Sequence, residues 1–159
     1  MKIGFIGLGN VGGKLAGTLL RNGHDLTVRD LSEPLVQSFV ARGASKAASP
    51  KDMAEKVDLI ITCLPSPAAS AEVLEGRDGI LKSLRKGQIW LEMSTTDHAE
   101  VIRLGALVEG RGARVMDGTV SGSCHLASSG NTAIFAAGVG CSLLLRAEAL
   151  RVVGETAVV

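Results

Sequence analysis

The sequence predicts an α/β fold: a doubly wound, mainly parallel sheet with helices on both faces, in a single domain. Three observations predict it. Apolar runs of strand length alternate with segments of helical periodicity from one end of the chain to the other. The run VDLIITCL, residues 57–64, is apolar and rich in β-branched residues, as expected of a central strand buried on both faces. The length, 159 residues, suits one core, since single domains usually hold roughly 100 to 200 residues. Residues 1–159 are therefore read as one domain.

The elements follow in order. KIGFI is a strand bounded by Gly7; Val11, Leu15, Ala16, Leu19 and Leu20 then recur at helical spacing, Gly23 ends that helix, and DLTVRD is a second strand. Pro34 opens a helix carrying Leu35, Val36, Phe39 and Val40, with Ser32 as its expected cap and Gly43 as its stop. A short ASKAA segment and a brief helix from Lys51 to Lys56 lead into VDLIITCL. SPAASAEVLEG reads as a helix and GQIWLEMS as another buried strand. Asp97 with Glu100 three residues on is a variant capping box, opening a helix whose Val101, Leu104 and Val108 share a face. ARVMD is a strand, DGTVSGSCHLASSG a loop, NTAIFAAG a strand and SLLLRAEALRVV a helix; TAVV is the start of one more strand.

The turn GLGNVG, Gly7 to Gly12, follows a strand and opens a helix, the context in which GxGxxG binds a dinucleotide. Gly7 makes the tight turn, Gly9 lets backbone amides approach a pyrophosphate, and Gly12 permits close packing of helix on strand. Leu8, Asn10 and Val11 complete the turn. Asp30 ends the second strand, about 20 residues further on, where a carboxylate accepts from a ribose 2′-hydroxyl. The same charge repels a 2′-phosphate, so NAD is favoured over NADP. Arg29 works against that preference, because a guanidinium binds phosphate. The fold is thus read as Rossmann-type.

Composition excludes several classes. Seventeen basic residues against sixteen acidic ones leave a net charge of +1, and with no Tyr, one Trp and three Phe there is neither a basic stripe nor a stacking platform for nucleic acid. No run reaches the roughly 18 apolar residues of a membrane span. The N-terminal apolar run is broken by glycines and lacks a cleavage site, so it is read as strand and turn, not as a signal peptide. Cys63, Cys124 and Cys141 are odd in number and widely spaced, which suits reduced thiols in a cytoplasmic protein better than disulfides or a zinc site. No metal is expected.

GFIGLGNVG, ITCLPSPAAS, EMSTTD and MDGTVSGS, in that order, make the whole chain resemble the β-hydroxyacid dehydrogenases of the 3-hydroxyisobutyrate dehydrogenase type. The resemblance implies a Rossmann coenzyme domain, followed in the intact enzymes by an all-helical domain that these 159 residues do not include. It implies that Leu64 and Pro65 line the nicotinamide side and that Thr95 sits against the nicotinamide ribose. It implies that Ser121, Gly122 and Ser123 hold a small hydroxy-acid substrate. Here Ala68 or Ala69 stands where the family often has a cofactor-binding Asn, and Ser123 replaces a family Gly. The implied reaction is NAD-dependent oxidation of a small 3-hydroxy acid to its semialdehyde. The family base is a Lys in a GxxGxGxxxKxxxN segment that the chain does not reach. Lys51, Lys56, Lys82 and Lys86 match no such motif, so no catalytic residue is assigned within the chain.

Cys124 beside His125 invites a nucleophile reading, but adjacent side chains in an extended loop point apart and no third group orients them. His24 and His98 are read as solvated or capping. The competing class is a non-catalytic dinucleotide-sensing or interaction module. The apolar end LRVVGETAVV favours self-association as a homo-oligomer.

Overall fold

The protein's structure, a computed structural model, describes residues 1–121, 133–137 and 157–158. The first half of the chain gives β1 (Ile3–Ile6), α1 (Gly12–Arg21), β2 (Leu26–Arg29), α2 (Glu33–Val40), β3 (Ser45–Lys46) and α3 (Pro50–Lys56). It continues through β4 (Leu59–Thr62), α4 (Pro67–Glu75), a 3₁₀ turn at Ile80–Lys82, β5 (Ile89–Glu92) and α5 (His98–Glu109). β6 (Arg114–Ser121), β7 (Ala133–Ala137) and β8 (Ala157–Val158) complete the described strands.

The strands form one sheet in the order β3-β2-β1-β4-β5-β6-β7-β8. From β3 to β6 all neighbours are parallel; β7 runs antiparallel to β6 and parallel to β8. This is the Rossmann-type fold expected from the alternation. The chain winds outward from β1 to β3, then returns to the other side of β1 to lay down β4, β5 and β6. The reversal puts a crevice beyond the carboxyl ends of β1 and β4, where Ile6 is in register with Thr62. In doubly wound sheets ligands bind at such a switch point.

Both faces of the sheet are covered, as the strand pattern requires. Side chains alternate along each strand, so Phe5, Ile61 and Leu91 pack with Leu15, Leu19 and Phe39 on one side. Ile6, Ile60 and Trp90 pack on the other with Met53, Leu74, Leu104 and Val108. All are buried, and each large side chain so buried contributes roughly 1.5–3 kcal/mol.

Three local expectations are corrected, and the ASKAA segment gains an element. Ser32 occupies the N-cap position of α2, but its hydroxyl makes no cap bond; its amide instead donates to Asp30 Oδ1 at 2.8 Å. The Asp97–Glu100 box is half formed: Asp97 accepts the Glu100 amide at 3.0 Å, while the Glu100 carboxylate turns outward to Arg103. ASKAA holds a two-residue edge strand, β3, with both residues exposed. Residues 117–121, read as the start of a loop, belong to β6, because β7 turns back and pairs with them from Asp117↔Ala137 to Ser121↔Ala133. The expected helix at 142–153, Gly122, Ser123, Cys124, His125 and Cys141 lie outside the described residues. So does most of the apolar C-terminal end. No helix among the described residues is long and apolar enough to cross a membrane.

Candidate functional site

A cavity of about 760 Å³ occupies the crevice at the switch point, within the range of small-molecule and cofactor sites. Its walls come from separate elements. The glycine turn contributes Gly7, Gly9, Asn10, Val11 and Gly12; the end of β2 contributes Arg29, Asp30 and Leu31; the turn after β4 contributes Cys63, Leu64 and Pro65. Glu72 and Val73 face it from α4, and Met93, Ser94 and Thr95 from the segment after β5. Of the residues singled out in the sequence for the coenzyme, ten share this one wall. Leu8 does not: its side chain is buried in the core, and its amide donates to Asp30 Oδ2 at 2.6 Å.

The three glycines are there for different physical reasons. Gly7 has φ +99°, and a Cβ on it would lie 2.2 Å from the Cys63 carbonyl oxygen. A Cβ on Gly12 would lie 2.0 Å from the Gly7 carbonyl oxygen, so α1 seats against the turn only because Gly12 has no side chain. Gly9 differs from both: a Cβ there meets nothing within 4 Å, and its φ is not positive. The packing of the described residues therefore leaves open space at Gly9, on the cavity wall. The N-cap of α1 is Val11, with no side-chain cap bond and no acid in the first turn. The Gly13 and Lys14 amides donate to the carbonyls of Gly9 and Val11 at 2.8 and 3.0 Å, and the positive end of the helix dipole favours an anion there.

At the β2 end, Asp30 bridges two loops. One carboxylate oxygen accepts the Leu8 amide and the other the Ser32 amide. A carboxylate has about four acceptor positions, so it retains capacity for a hydroxyl in the cavity. Arg29 Nη1 donates to the Asp30 carbonyl at 2.5 Å, and its Nε is buried without a partner among the described residues. Leu31, the last residue of the segment from Ile3 that the resemblance places around the adenosine and pyrophosphate, stands 97% exposed at the rim, an apolar face beside the polar pair.

The unforeseen feature is Glu92, fully buried at the end of β5. It accepts the Ser94 amide at 2.8 Å, the Ser94 hydroxyl, and the Ser70 hydroxyl at 3.1 Å. Burial pushes its carboxyl above the ordinary range, and the donors from Ser94, Ser70 and Thr62 oppose that shift. The signal was present in the sequence: one acid inside the apolar strand IWLE.

Cys63 lines the same wall, and burial, with the Glu92 charge second, pushes its thiol up to about 11. A raised pKa depletes the reactive thiolate. Iodoacetamide at pH 8 is expected to alkylate Cys63 on the order of a hundredfold more slowly in the folded chain than in urea, as measured by mass spectrometry of its peptide.

Ser121 ends β6 and pairs through its backbone with Ala133. None of Lys51, Lys56, Lys82 or Lys86 lines the cavity. Among the described residues no cluster of His, Cys, Asp and Glu could hold a metal ion.

Comparison with known proteins agrees with the architecture. Residues 2–159 match the family model described as the NAD binding domain of 6-phosphogluconate dehydrogenase. The chain is 40% identical over 153 residues to a mitochondrial 3-hydroxyisobutyrate dehydrogenase of Rattus norvegicus, covering 96% of this chain and 46% of that protein. It superposes with TM-score 0.89 on 3-hydroxyisobutyrate dehydrogenase from Salmonella typhimurium, at 25% identity, over 99% of this chain and 55% of that one. The fold is also that of a reductive aminase from Aspergillus terreus in complex with NADPH and ethyl levulinate, with TM-score 0.84 and 24% identity, over 99% of this chain and 53% of that one. The chain thus spans about half the length of the curated relatives it matches.

Proposed function

The chain belongs to the family of NAD-binding domains of 6-phosphogluconate dehydrogenase, and on that premise we propose that it is the coenzyme-binding part of a 3-hydroxyisobutyrate dehydrogenase-type oxidoreductase, using NAD. One observation carries the reading. Gly9, on the wall of the switch-point cavity, faces space that none of the described residues fills, beside a helix N-terminus without a side-chain cap. A pyrophosphate fits both the space and the polarity.

In this reading the amides from Gly9 to Gly12 face the pyrophosphate, those of Gly7 and Leu8 being held by the Arg29 carbonyl and Asp30. Asp30 accepts from the adenosine ribose, with Leu31 against the adenine. Leu64, Pro65 and Thr95 flank the nicotinamide and its ribose, and Ser121, Gly122 and Ser123 hold the carboxylate and hydroxyl of a small 3-hydroxy acid. When bound, the nicotinamide supplies the hydride acceptor. Oxidation also needs a base at the substrate hydroxyl. No Lys or His lines the cavity among the described residues, so the 159-residue chain by itself is expected to bind NAD and to turn over slowly or not at all. The rat relative is a mitochondrial protein, which lends no support to the cytoplasmic expectation.

The choice of NAD rests on the Asp30 carboxylate, which repels a 2′-phosphate; Arg29 is the one cation on the described wall that opposes it. Calorimetric titration with each dinucleotide tests it. NAD is expected to bind at least about tenfold more tightly than NADP, a difference of about 1.4 kcal/mol. Equal affinities, or tighter NADP binding, would reassign Arg29 as a phosphate ligand.

A further inference from the structure

Glu92 needs a reason for being where it is. A carboxylate sealed at the end of a strand loses its hydration, and an apolar side chain of the same size would fill the site at lower cost. Its hydrogen bonds point to the cavity. Ser94 Oγ accepts the Leu64 amide at 2.7 Å. A hydroxyl that accepts one N–H has its own proton left to donate, and Glu92 receives it. The turn after β4 is thereby tied, through one hydroxyl, to the segment after β5. The remaining Glu92 contacts brace the same corner. Ser70 holds it from α4, and Thr62, which accepts Trp90 Nε1–H at 2.9 Å, is a further donor to it.

The cavity has two ends built from different elements that meet along the β1–β4 ladder. β1, α1 and β2 build the end that carries Asp30, joined by the Asp30–Leu8 bond. The other end is the pair of segments Cys63–Pro65 and Met93–Thr95; beyond the backbone bond from Met93 N–H to the Thr62 carbonyl at 2.8 Å, the Glu92–Ser94 relay ties them together. We propose that Ser94 and Glu92 are positioning residues for the nicotinamide half of the site, holding the Leu64–Pro65 turn and Thr95 at a fixed separation. The inference rests on the dinucleotide reading and extends it to Ser94, on the cavity wall, and to Glu92 behind it.

A merely structural role would weaken all ligands together, whereas a positioning role acts on one half of the dinucleotide. The affinities of NAD and of ADP-ribose, which lacks the nicotinamide, are therefore measured on the same variants. Ser94→Ala removes the acceptor for the Leu64 amide, and is expected to weaken NAD about tenfold while leaving ADP-ribose within about twofold. Glu92→Gln keeps a carbonyl oxygen for Ser94 to donate to, and is expected to stay within about threefold of the parent for NAD. Ser94→Cys, similar in volume but a poor acceptor, takes the same measurement should the alanine variant fail to fold. Equal loss of both ligands by a folded variant, or loss of neither, would overturn the assignment. A parent chain that binds neither ligand would overturn the dinucleotide reading itself, and this inference with it.

Discussion

Gly9→Ala is expected to fold like the parent and to lose NAD affinity on the order of a hundredfold, while Gly12→Ala is expected to unfold some 5–15 °C earlier. The two substitutions add the same methyl group three residues apart, and the structure separates them. At Gly9 the new Cβ meets no atom of the described residues, and the backbone φ is not positive. The folded state therefore gains no strain, and the unfolded chain loses a little freedom. The methyl instead takes the space into which the pyrophosphate must come, a loss of about 2.7 kcal/mol of binding if affinity falls a hundredfold. At Gly12 the Cβ would lie 2.0 Å from the Gly7 carbonyl oxygen, far inside contact distance. Either α1 slides away from the turn or the turn distorts, and such overpacking costs about 2–4 kcal/mol. For a chain of this length that is roughly 2–4 °C per kcal/mol. Thermal melts and NAD titrations of both variants check the pair. A Gly9 variant that binds NAD normally would sink the assignment of that space to a phosphate.

Asp30→Ala is expected to weaken NAD binding by about tenfold or more, to leave NADP binding less affected, and to cost about 1–3 kcal/mol of stability. The carboxylate has two tasks that the sequence pattern presents as one. Both of its oxygens accept backbone amides, of Leu8 and of Ser32, so its removal leaves two part-buried donors without their partner, together about 1–3 kcal/mol. The ribose contact is additional. NADP forgoes that 2′-hydroxyl and meets the carboxylate as a like charge, so removing the charge narrows the preference for NAD. Asp30→Asn is instructive beside it, since one of its two ends is an NH₂ facing a backbone N–H. It should lose stability comparably to alanine. Chemical unfolding and calorimetry on the two variants are the measurements, and an unchanged NAD-to-NADP ratio in Asp30→Ala would count against the 2′-hydroxyl role.

Much of this architecture was legible before any coordinates, because burial on both faces leaves a plain signature. IGFI, LIIT and IWLE are short apolar runs between turn residues, and they became β1, β4 and β5 at the centre of the sheet. The edge was less legible: β3 is two exposed residues, with no apolar pattern to betray it. The extension of β6 through Gly118 to Ser121 was hidden because it depends on a partner strand twelve or more residues further along. Local propensity carries little of that information, since Gly and Ser are poor strand formers. The caps show the same limit. Ser32 and Asp97 stand where caps belong, yet only Asp97 bonds as a cap; the Ser32 amide is taken instead by Asp30, two residues before it.

In the cavity, the glycine turn and Asp30 were found from spacing, and Leu64, Pro65 and Thr95 from family resemblance. Apart from Leu8, these residues converge on one crevice. The resemblance also places the segment from Ile3 to Leu31 at the adenosine and pyrophosphate end. The Glu92–Ser94 relay was not found. An acid in a buried strand can be recognised in sequence as unusual, but its partners, Ser70 and Ser94, come from other elements.

The most direct test of the central claim is a titration of the ¹⁵N-labelled chain with NAD, followed through its backbone amides. Saturable shifts are predicted at Gly7, Gly9, Asn10, Val11 and Gly12, at Leu31, and at Leu64 and Thr95, with the amides of α5 unmoved. Shifts absent from the glycine turn at saturating NAD, or confined to residues outside the crevice, would contradict the assignment of this cavity to a dinucleotide.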